Sequence, residues 1–137
     1  MNYKSILKFI EQNPVCTIAT AINNQPHVRA FLTNIIDETL YFTTSADKKV
    51  GQEILNNRES ELCYLASDYS KMLRIRTTIK IIEDTKMKQH LIDTREYLQH
   101  FSVEDPSYIL FTLSNSEATF WTLEDNLKEE KLQKIRF

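Results

Sequence analysis

Residues 73–81 alternate strictly between two kinds of side chain, and this pattern restricts the fold more than any other stretch of the chain. One set of alternate positions holds Leu73, Ile75, Thr77, Ile79 and Ile81, and the other holds Arg74, Arg76, Thr78 and Lys80. Successive side chains of a β-strand point to opposite faces of a sheet, so a period of two predicts a strand with one face towards a core. The partners of this strand must come from the other apolar runs of the chain.

Several other runs are rich in β-branched and aromatic residues, which is the composition of short strands. We predict strands near residues 15–22, 27–36, 39–44, 61–67, 71–83, 108–114 and 117–124, the last two joined by a tight turn at Asn115 and Ser116. Apolar residues at helical spacing predict a short first helix ended by Asn13 and Pro14, and further helices at 46–57 and 85–101. The charged tail 125–137 is expected to be a weak helix or an arm. Together these elements predict a mainly β domain of the α+β class, a small antiparallel barrel with flanking helices.

Composition narrows the range of functions. The 137 residues suit a single domain, 1–137, and the formal charge of −2 gives no basic surface for nucleic acid. No stretch approaches the length of about 20 apolar residues that spans a bilayer, so we expect a cytoplasmic protein without a membrane partner. Cys16 and Cys63 lie in strand-like runs and are interpreted as core thiols. No spacing of His, Cys or carboxylates indicates a metal site or an activated nucleophile, and we name no catalytic residue.

The stretch "YFTTSADKKVGQEI", residues 41–54, passes from strand to helix composition and contains two adjacent cations. A helix N-terminus attracts anions, and phosphate is a natural guest there. Hydroxyls come from Thr43, Thr44 and Ser45, charge from Lys48 and Lys49, and Gly51 would leave room for close approach. The alternative is that Ser45 is an ordinary N-cap and that the lysines lie on a solvated helix face.

Arg29 is the second candidate for an anion site. In "PHVRAFL" it shares a strand face with Phe31 and Thr33, and a guanidinium among apolar residues needs a partner. That partner is either a phosphate of a ligand or a carboxylate of the chain itself, unless Arg29 lies at the strand end in water. Gly51 is the only glycine in the sequence, so we expect the tight turns to use Asn, Asp and Ser.

The order of these features resembles the pyridoxamine 5′-phosphate oxidase-like family of FMN-binding split barrels. The resemblance covers about residues 5–82 and is strongest at "ATAINNQPHVRAF" and "LYFTTSADKK". It implies a split β-barrel, FMN as the cofactor, and a homodimer whose partner subunit completes the pocket. By resemblance, Arg29, Lys48 and Lys49 hold the FMN phosphate. The backbone at Ala30, Phe31, Leu32, Phe42 and Thr43 is similar to the edge on which the flavin ring rests.

The resemblance also bears on activity and on the subunit interface. Arg74 is our candidate for a contact across the interface. Trp121 is either a second such contact or a Trp that packs in the core or between subunits. The tail does not resemble the substrate-binding segment of the true oxidase, and Asn34 stands where that enzyme has a substrate-contacting lysine. We therefore expect a small-molecule oxidoreductase, for example of the nitroimidazole reductase type, and not a vitamin B6 oxidase. The alternative is a non-catalytic flavin or haem carrier or sensor, for which His27 is the one candidate axial ligand near the strands.

Overall fold

Eight antiparallel strands form the sheet that the alternating pattern predicts. The computed structural model describes residues 1–137. Its α-helices are α1 (Tyr3–Gln12), α2 (Lys49–Asn56) and α3 (Thr85–Thr94). Its strands are β1 (Val15–Ile22), β2 (Gln25–Leu32), β3 (Asn34–Ile36), β4 (Thr39–Ser45), β5 (Glu59–Leu65), β6 (Lys71–Ile81), β7 (Tyr108–Thr122) and β8 (Ile135–Arg136). None of the helices is long and apolar enough to cross a membrane.

The strand order explains why the barrel is split. The sheet runs β2-β1-β5-β6-β7-β4-β3, with β8 beside β7, so the consecutive strands β2 and β3 lie at opposite edges. The chain passes from one edge to the other at Thr33, whose N–H donates to the carbonyl of Pro14 at 2.9 Å. The single strand predicted for 27–36 is therefore wrong, because its two ends pair with different neighbours. A sheet whose edges are joined by one residue must curl until those edges face each other.

The concave side of the sheet is filled as expected. Leu73, Ile75, Thr77 and Ile79 are buried, which confirms the predicted inner face of β6. Phe42 and Phe111 stack at 5.2 Å between ring centroids in the middle of the core. Two of the helices add to the same core, α1 through Ile6, Phe9 and Ile10 and α2 through Val50 and Ile54.

The predicted turn between two final strands is wrong, because β7 continues without interruption from Tyr108 to Thr122. Asn115 adopts a left-handed φ of 50° inside this strand. Along β6, Arg76 pairs with Glu117 but Thr78 pairs with Ser114, so β7 contains one extra residue there. An Asn in this conformation can form either a hairpin turn or a bulge, and the local sequence does not separate the two.

The tight turns use the residue types that a chain with a single glycine must use. Asn23 and Asn24, with φ of 48° and 67°, join β1 to β2, and Asp37 and Glu38, with φ of 48° and 60°, join β3 to β4. Two consecutive residues with positive φ are the mark of the type I′ hairpin turn. The expectation is confirmed for Asn and Asp, while Glu38 and also Tyr69, which has a φ of 64° between β5 and β6, depart from it.

The remaining differences concern element ends and the cysteines. Helix α2 begins at Lys49 and not at 46, and the helix predicted for 85–101 is divided by extended backbone at Arg95 into α3 and a 3₁₀ turn, Glu96–Leu98. The tail forms short 3₁₀ turns and β8, not a continuous helix.

Burial raises the pKa of the Cys16 thiol to about 11. Cys63 is only half-buried, so its interpretation as a core thiol is wrong.

Candidate functional site

A cavity of about 330 Å³ lies where the sheet is split. We call it the split-edge cavity. Its wall includes Arg29–Leu32 of β2, Thr43 and Thr44 of β4, Lys48 and Val50 around the start of α2, and Tyr97. Strand β2 has no partner on the side away from β1, and residues 42–45 have none on the side away from β7. Two rows of backbone N–H and C=O groups are therefore available to a ligand between them.

A second cavity, of about 360 Å³, adjoins the first. The two share Thr43, Thr44, Lys48 and Tyr97, and this adjoining cavity extends to His100 and Asp105. Pockets for small molecules usually range from about 300 to 1,000 Å³. Each cavity alone is at the lower end of that range, and together they form a groove with room for a larger ligand.

Thr43 and Thr44 of β4 line this groove, and their hydroxyl groups have no hydrogen-bond partner in the chain. Thr44 is only 5% exposed and lines both cavities, yet its hydroxyl forms no hydrogen bond within the chain. No buried side-chain nitrogen or oxygen atom of the chain lacks a hydrogen-bond partner, so the hydroxyl oxygen of Thr44 is itself accessible and can bond a ligand in the cavity. Thr43 also lines both cavities, and the contact of this pair with a cofactor stays a prediction.

The two lysines differ in their relation to the groove. Lys48 is the residue before the first turn of α2 and lines both cavities. Lys49 is the first helical residue, is exposed and lines neither cavity. Ser45 is not the N-cap, because α2 begins at Lys49 and Lys48 occupies the cap position; the hydroxyl of Ser45 instead accepts the N–H of Asp47 at 3.1 Å in the loop before the helix. The structure therefore separates two residues to which the sequence assigned one role.

Position 51 requires a glycine because of the chain's own packing, and not because a ligand approaches it. A Cβ atom at Gly51 would lie 2.7 Å from the carbonyl carbon of Ser45 and closer still to its oxygen. The space is thus occupied by the chain's own backbone, where α2 packs against the end of β4. The expectation that Gly51 leaves room for a phosphate is wrong.

Arg29 has the carboxylate partner that the sequence analysis left open. It donates from Nη2 to Glu53, and from Nη1 to the hydroxyl of Thr20 at 2.8 Å. Its Nε–H forms no hydrogen bond in the chain, and Arg29 lies on the wall of the split-edge cavity. The need of Arg29 for a partner is therefore met without a phosphate, although its position on the cavity wall agrees with the predicted role.

Glu53 is the main residue that sequence reasoning missed. It is buried on α2, where hydrogen bonds from Arg29 and then His27 hold the pKa of its carboxyl below the ordinary value of 4.5. The sequence feature that could have identified Glu53 is its position three residues after Val50 and next to Ile54, on the apolar face of a short helix. A charged residue on such a face predicts a buried partner, but not which one.

Asn34 and Tyr97 form a second network at the groove. Asn34 is 3% exposed and accepts a hydrogen bond at its Oδ1 from Nε of Arg95 at 2.7 Å. Its Nδ2 donates to the hydroxyl of Tyr97 at 3.1 Å. The side chain at position 34 is thus used to hold the segment after α3 against the cavity.

The other predicted residues do not meet in this groove through their side chains. Phe42 is fully buried in the core, so it can offer a ligand only its backbone. Arg74 lies on the outer face of β6, where it donates to Glu61 at 2.6 Å and to Glu129. Trp121 is half-buried towards the end of β7, opposite Met72. Within one chain, neither Arg74 nor Trp121 lines the split-edge cavity.

Comparison with known proteins finds one family and several solved structures that this chain resembles. A sequence model of the pyridoxamine 5′-phosphate oxidase family matches residues 4–122. No curated protein sequence matches the chain. A NimC/NimA family protein from Clostridium acetobutylicum has a similar structure, with a TM-score of 0.80 and 19% identity over 98% of this chain and 93% of that one.

Two further solved structures have the same fold. One is the general stress FMN/FAD binding protein of Xanthomonas citri, with a TM-score of 0.70 and 16% identity over 88% of this chain and 87% of that one. The other is the haem storage protein HutZ of Vibrio cholerae, with a TM-score of 0.67 and 13% identity over 89% of this chain and 95% of that one. At these identities the likeness shows the fold, the antiparallel split β-barrel.

Proposed function

The chain belongs to the pyridoxamine 5′-phosphate oxidase family, and we propose that it binds FMN non-covalently in the split-edge cavity and acts as an oxidoreductase on a small molecule. The observation that carries this proposal is the cavity between two unpaired strand edges, with Arg29 and Lys48 on its wall. Bound FMN would supply hydride-transfer chemistry, and the protein would supply position and electrostatics.

The residues present fit such a cofactor. The free Nε–H of Arg29 and the ammonium group of Lys48 are donors of the kind that hold phosphate. The unpaired hydroxyl of Thr44 and the open backbone of residues 30–32 and 42–43 offer hydrogen bonds to the edge of a polar ring system. Val50, Phe31 and Leu32 provide apolar walls that limit the access of water.

A homodimer would complete the site. The outer face of β2 and β1 exposes an apolar stripe, which consists of Val15, Val28 and Leu32 and borders the split-edge cavity at Leu32. Val28 is 63% exposed, and Val15 lies directly opposite Leu32 in the strand register. Exposed apolar surface of this kind favours contact with a second subunit. We therefore retain the homodimer as part of the proposal.

Arg74 lies on the same outer face. The register connects Ala30 to Thr17, Thr17 to Cys63, and Cys63 to Arg74 across neighbouring strands. Cross-strand partners point to one face, and three strand spacings amount to about 14 Å. A partner subunit packed on this face would bring its own Arg74 towards the cavity, which supports its proposed role as a contact across the interface.

The adjoining cavity gives the substrate a place beside the flavin. Its wall combines the aromatic Tyr97 and Phe101 with the polar His100 and Asp105, a mixed lining suited to a small aromatic or heteroaromatic molecule. Asn34 is buried in its own network, so no free polar side chain at that position awaits a pyridoxamine phosphate. This supports a small-molecule reductase of the nitroimidazole reductase type over a vitamin B6 oxidase.

Haem binding has less support from the described residues. Nδ1 of His27 is held by Glu53 at 2.6 Å, and His27 lines neither cavity of the groove. A haem with His27 as its axial ligand would therefore have to bind outside the groove, at the Nε2 atom that the contact with Glu53 leaves free.

The first test is an absorbance spectrum of the purified protein before and after FMN is added and the excess removed. Retained flavin bands are expected, and a flavin-free protein after this treatment would refute the proposal. A Soret band would instead support the haem alternative. Reoxidation of the reduced flavoprotein by nitroaromatic or quinone acceptors then tests whether it is an enzyme.

The two lysines provide a matched pair of variants for the phosphate contact. Lys48→Ala and Lys49→Ala each remove one positive charge from neighbouring positions, but only Lys48 lines the cavity. A charge-assisted hydrogen bond contributes about 1.5–3 kcal/mol, so we expect Lys48→Ala to weaken FMN binding by roughly one to two decades and Lys49→Ala by much less. Fluorescence titration measures both dissociation constants. Equal effects would mean that the lysines act only through general charge.

A further inference from the structure

Tyr97 lies where the two cavities of the groove meet. It belongs to the 3₁₀ turn Glu96–Leu98, is 43% exposed, and lines both the split-edge cavity and the adjoining cavity. Of the four residues that the two cavities share, it is the only aromatic one; the others are Thr43, Thr44 and Lys48. A molecule at the junction of the cavities is therefore within reach of the Tyr97 ring.

The chain on the C-terminal side of Tyr97 is anchored in a small apolar core. Leu98 is 2% exposed and packs in one cluster with Leu91 and Tyr108. Phe101 stacks on Tyr108, with 4.8 Å between the ring centroids and 17° between the ring planes. Because this packing fixes the segment before a ligand arrives, the Tyr97 ring loses little conformational entropy when a ligand contacts it.

The buried amide of Asn34 orients the hydroxyl group of Tyr97. A guanidinium group can only donate hydrogen bonds, so the atom of Asn34 that faces Nε of Arg95 at 2.7 Å must be its oxygen. The Nδ2 group of Asn34 then donates to the hydroxyl oxygen of Tyr97 at 3.1 Å. The one acceptor in the chain for the hydroxyl hydrogen of Tyr97 is the same Asn34 oxygen at 3.4 Å, which is long for an O–H···O bond. That hydrogen is therefore available to an acceptor atom of a ligand in the groove.

We propose that Tyr97 determines substrate specificity: its ring packs against a planar aromatic molecule in the adjoining cavity, and its hydroxyl group donates a hydrogen bond to a nitro oxygen of that molecule. The inference rests on the proposed function, since it takes the adjoining cavity as the place of the substrate. Aromatic pairs contribute binding energy beyond the area that they bury, and a hydrogen bond from an oriented donor adds to it. The two contributions come from different atoms of Tyr97 and can be removed one at a time.

The test measures the binding of three uncharged probes to the FMN-loaded, oxidised protein, without an electron donor, so that no turnover takes place. The probe 4-nitrobenzyl alcohol has both the aromatic ring and the nitro group, benzyl alcohol has only the ring, and cyclohexylmethanol has neither. Calorimetry of the wild type should show benzyl alcohol binding about 2- to 10-fold more tightly than cyclohexylmethanol. The nitro group should add a further factor of about 2 to 10.

Two variants of Tyr97 separate the two contributions. Tyr97→Phe should keep the preference for the aromatic ring and lower the preference for the nitro group, whereas Tyr97→Leu should lower both. Tyr69→Phe and Tyr69→Leu are the matched controls, since Tyr69 is 77% exposed between β5 and β6 and lines neither cavity. Both controls should keep the wild-type ratios. A variant that only loosens the structure would weaken the binding of all three probes together and leave the ratios unchanged.

The outcomes separate this inference from the proposed function. If the wild type retains no FMN, the proposed function fails, and the same titrations on the flavin-free protein still show whether Tyr97 sets the two ratios. If FMN is retained but Tyr97→Leu keeps the wild-type preference for the aromatic ring, or Tyr97→Phe keeps the wild-type preference for the nitro group, the role of Tyr97 is refuted while the flavoprotein assignment remains.

Discussion

Glu53 shows how one buried carboxylate can organise a site. It is enclosed by α2, β1 and β2 and is satisfied by His27, Arg29 and Thr20, so its negative charge has partners on every side. Removal of one member of such a cluster leaves the others unpaired. Arg29, which the sequence singled out as an anion-binding residue, therefore depends on a helix residue for its position.

The lowered pKa of Glu53 predicts a specific pH dependence of stability. Because the folded-state pKa lies below the unfolded value near 4.5, the ionised carboxylate stabilises the fold above that pH, and this contribution is lost as the pH falls through the folded-state pKa. The difference in unfolding free energy between the wild type and Glu53→Gln should be largest at pH 7 and shrink steadily below pH 5.

Urea denaturation of both proteins at several pH values measures this difference. The pKa values of Asp68 and Asp105 are also lowered, but they affect both proteins equally and therefore cancel in the difference between the two unfolding free energies. A difference that stays constant down to pH 3 would show that Glu53 is not ionised and paired as the structure has it.

Among the elements, the hairpin between β3 and β4 has a turn residue that is poorly suited to its backbone conformation. Glu38 occupies a left-handed conformation that costs an L-residue about 1 kcal/mol or more, because its Cβ crowds the following carbonyl. We expect Glu38→Gly to stabilise the protein by about 0.5–1 kcal/mol after the entropy of glycine is subtracted. Its carbonyl, which accepts the hydroxyl of Tyr3 at 2.7 Å, is retained.

Thermal unfolding compares Glu38→Gly with Glu38→Gln, which keeps a side chain of the same size and removes only the charge. The glycine variant should have a higher Tm, and the glutamine variant should stay close to the wild type. If the Tm of both variants rose equally, the effect would be due to the loss of charge and not to the backbone conformation.

For the whole molecule, the proposed dimer makes a prediction about shared sites. If each cavity takes Arg29 from one subunit and Arg74 from the other, Arg29→Ala and Arg74→Ala should each bind FMN weakly. When the two variants are unfolded, mixed and refolded, about half of the dimers should be mixed, and each mixed dimer has one intact site. About a quarter of all sites should then regain affinity.

The measurement is FMN bound per chain, together with the molecular mass from light scattering. A mixture of Arg29→Ala with the double variant Arg29→Ala/Arg74→Ala is the control, since no combination of those chains restores a site. Dimers that form without any recovery would show that Arg74 does not reach the partner's cavity.

The sequence by itself determined the parts of this protein that depend on local chemistry. The period of two in β6 sets its inner face, Asn and Asp form the tight turns, and the apolar spacing of α1 and α2 selects the sides that meet the core. These features depend on neighbours a few residues away, which is why they could be predicted. The family was identified from the same residues, and the match over 4–122 confirms it.

Only the tertiary structure decided which distant residues meet. The change of sheet edge at Thr33, the bulge at Asn115, and the pairing of Arg29 with Glu53 all depend on how the sheet curls. Local patterns carry the chemistry of a residue but not the identity of a partner that is 24 positions away in the chain. The groove exists because curling brings two strand edges together, and its contact with FMN stays a prediction for the experiments above.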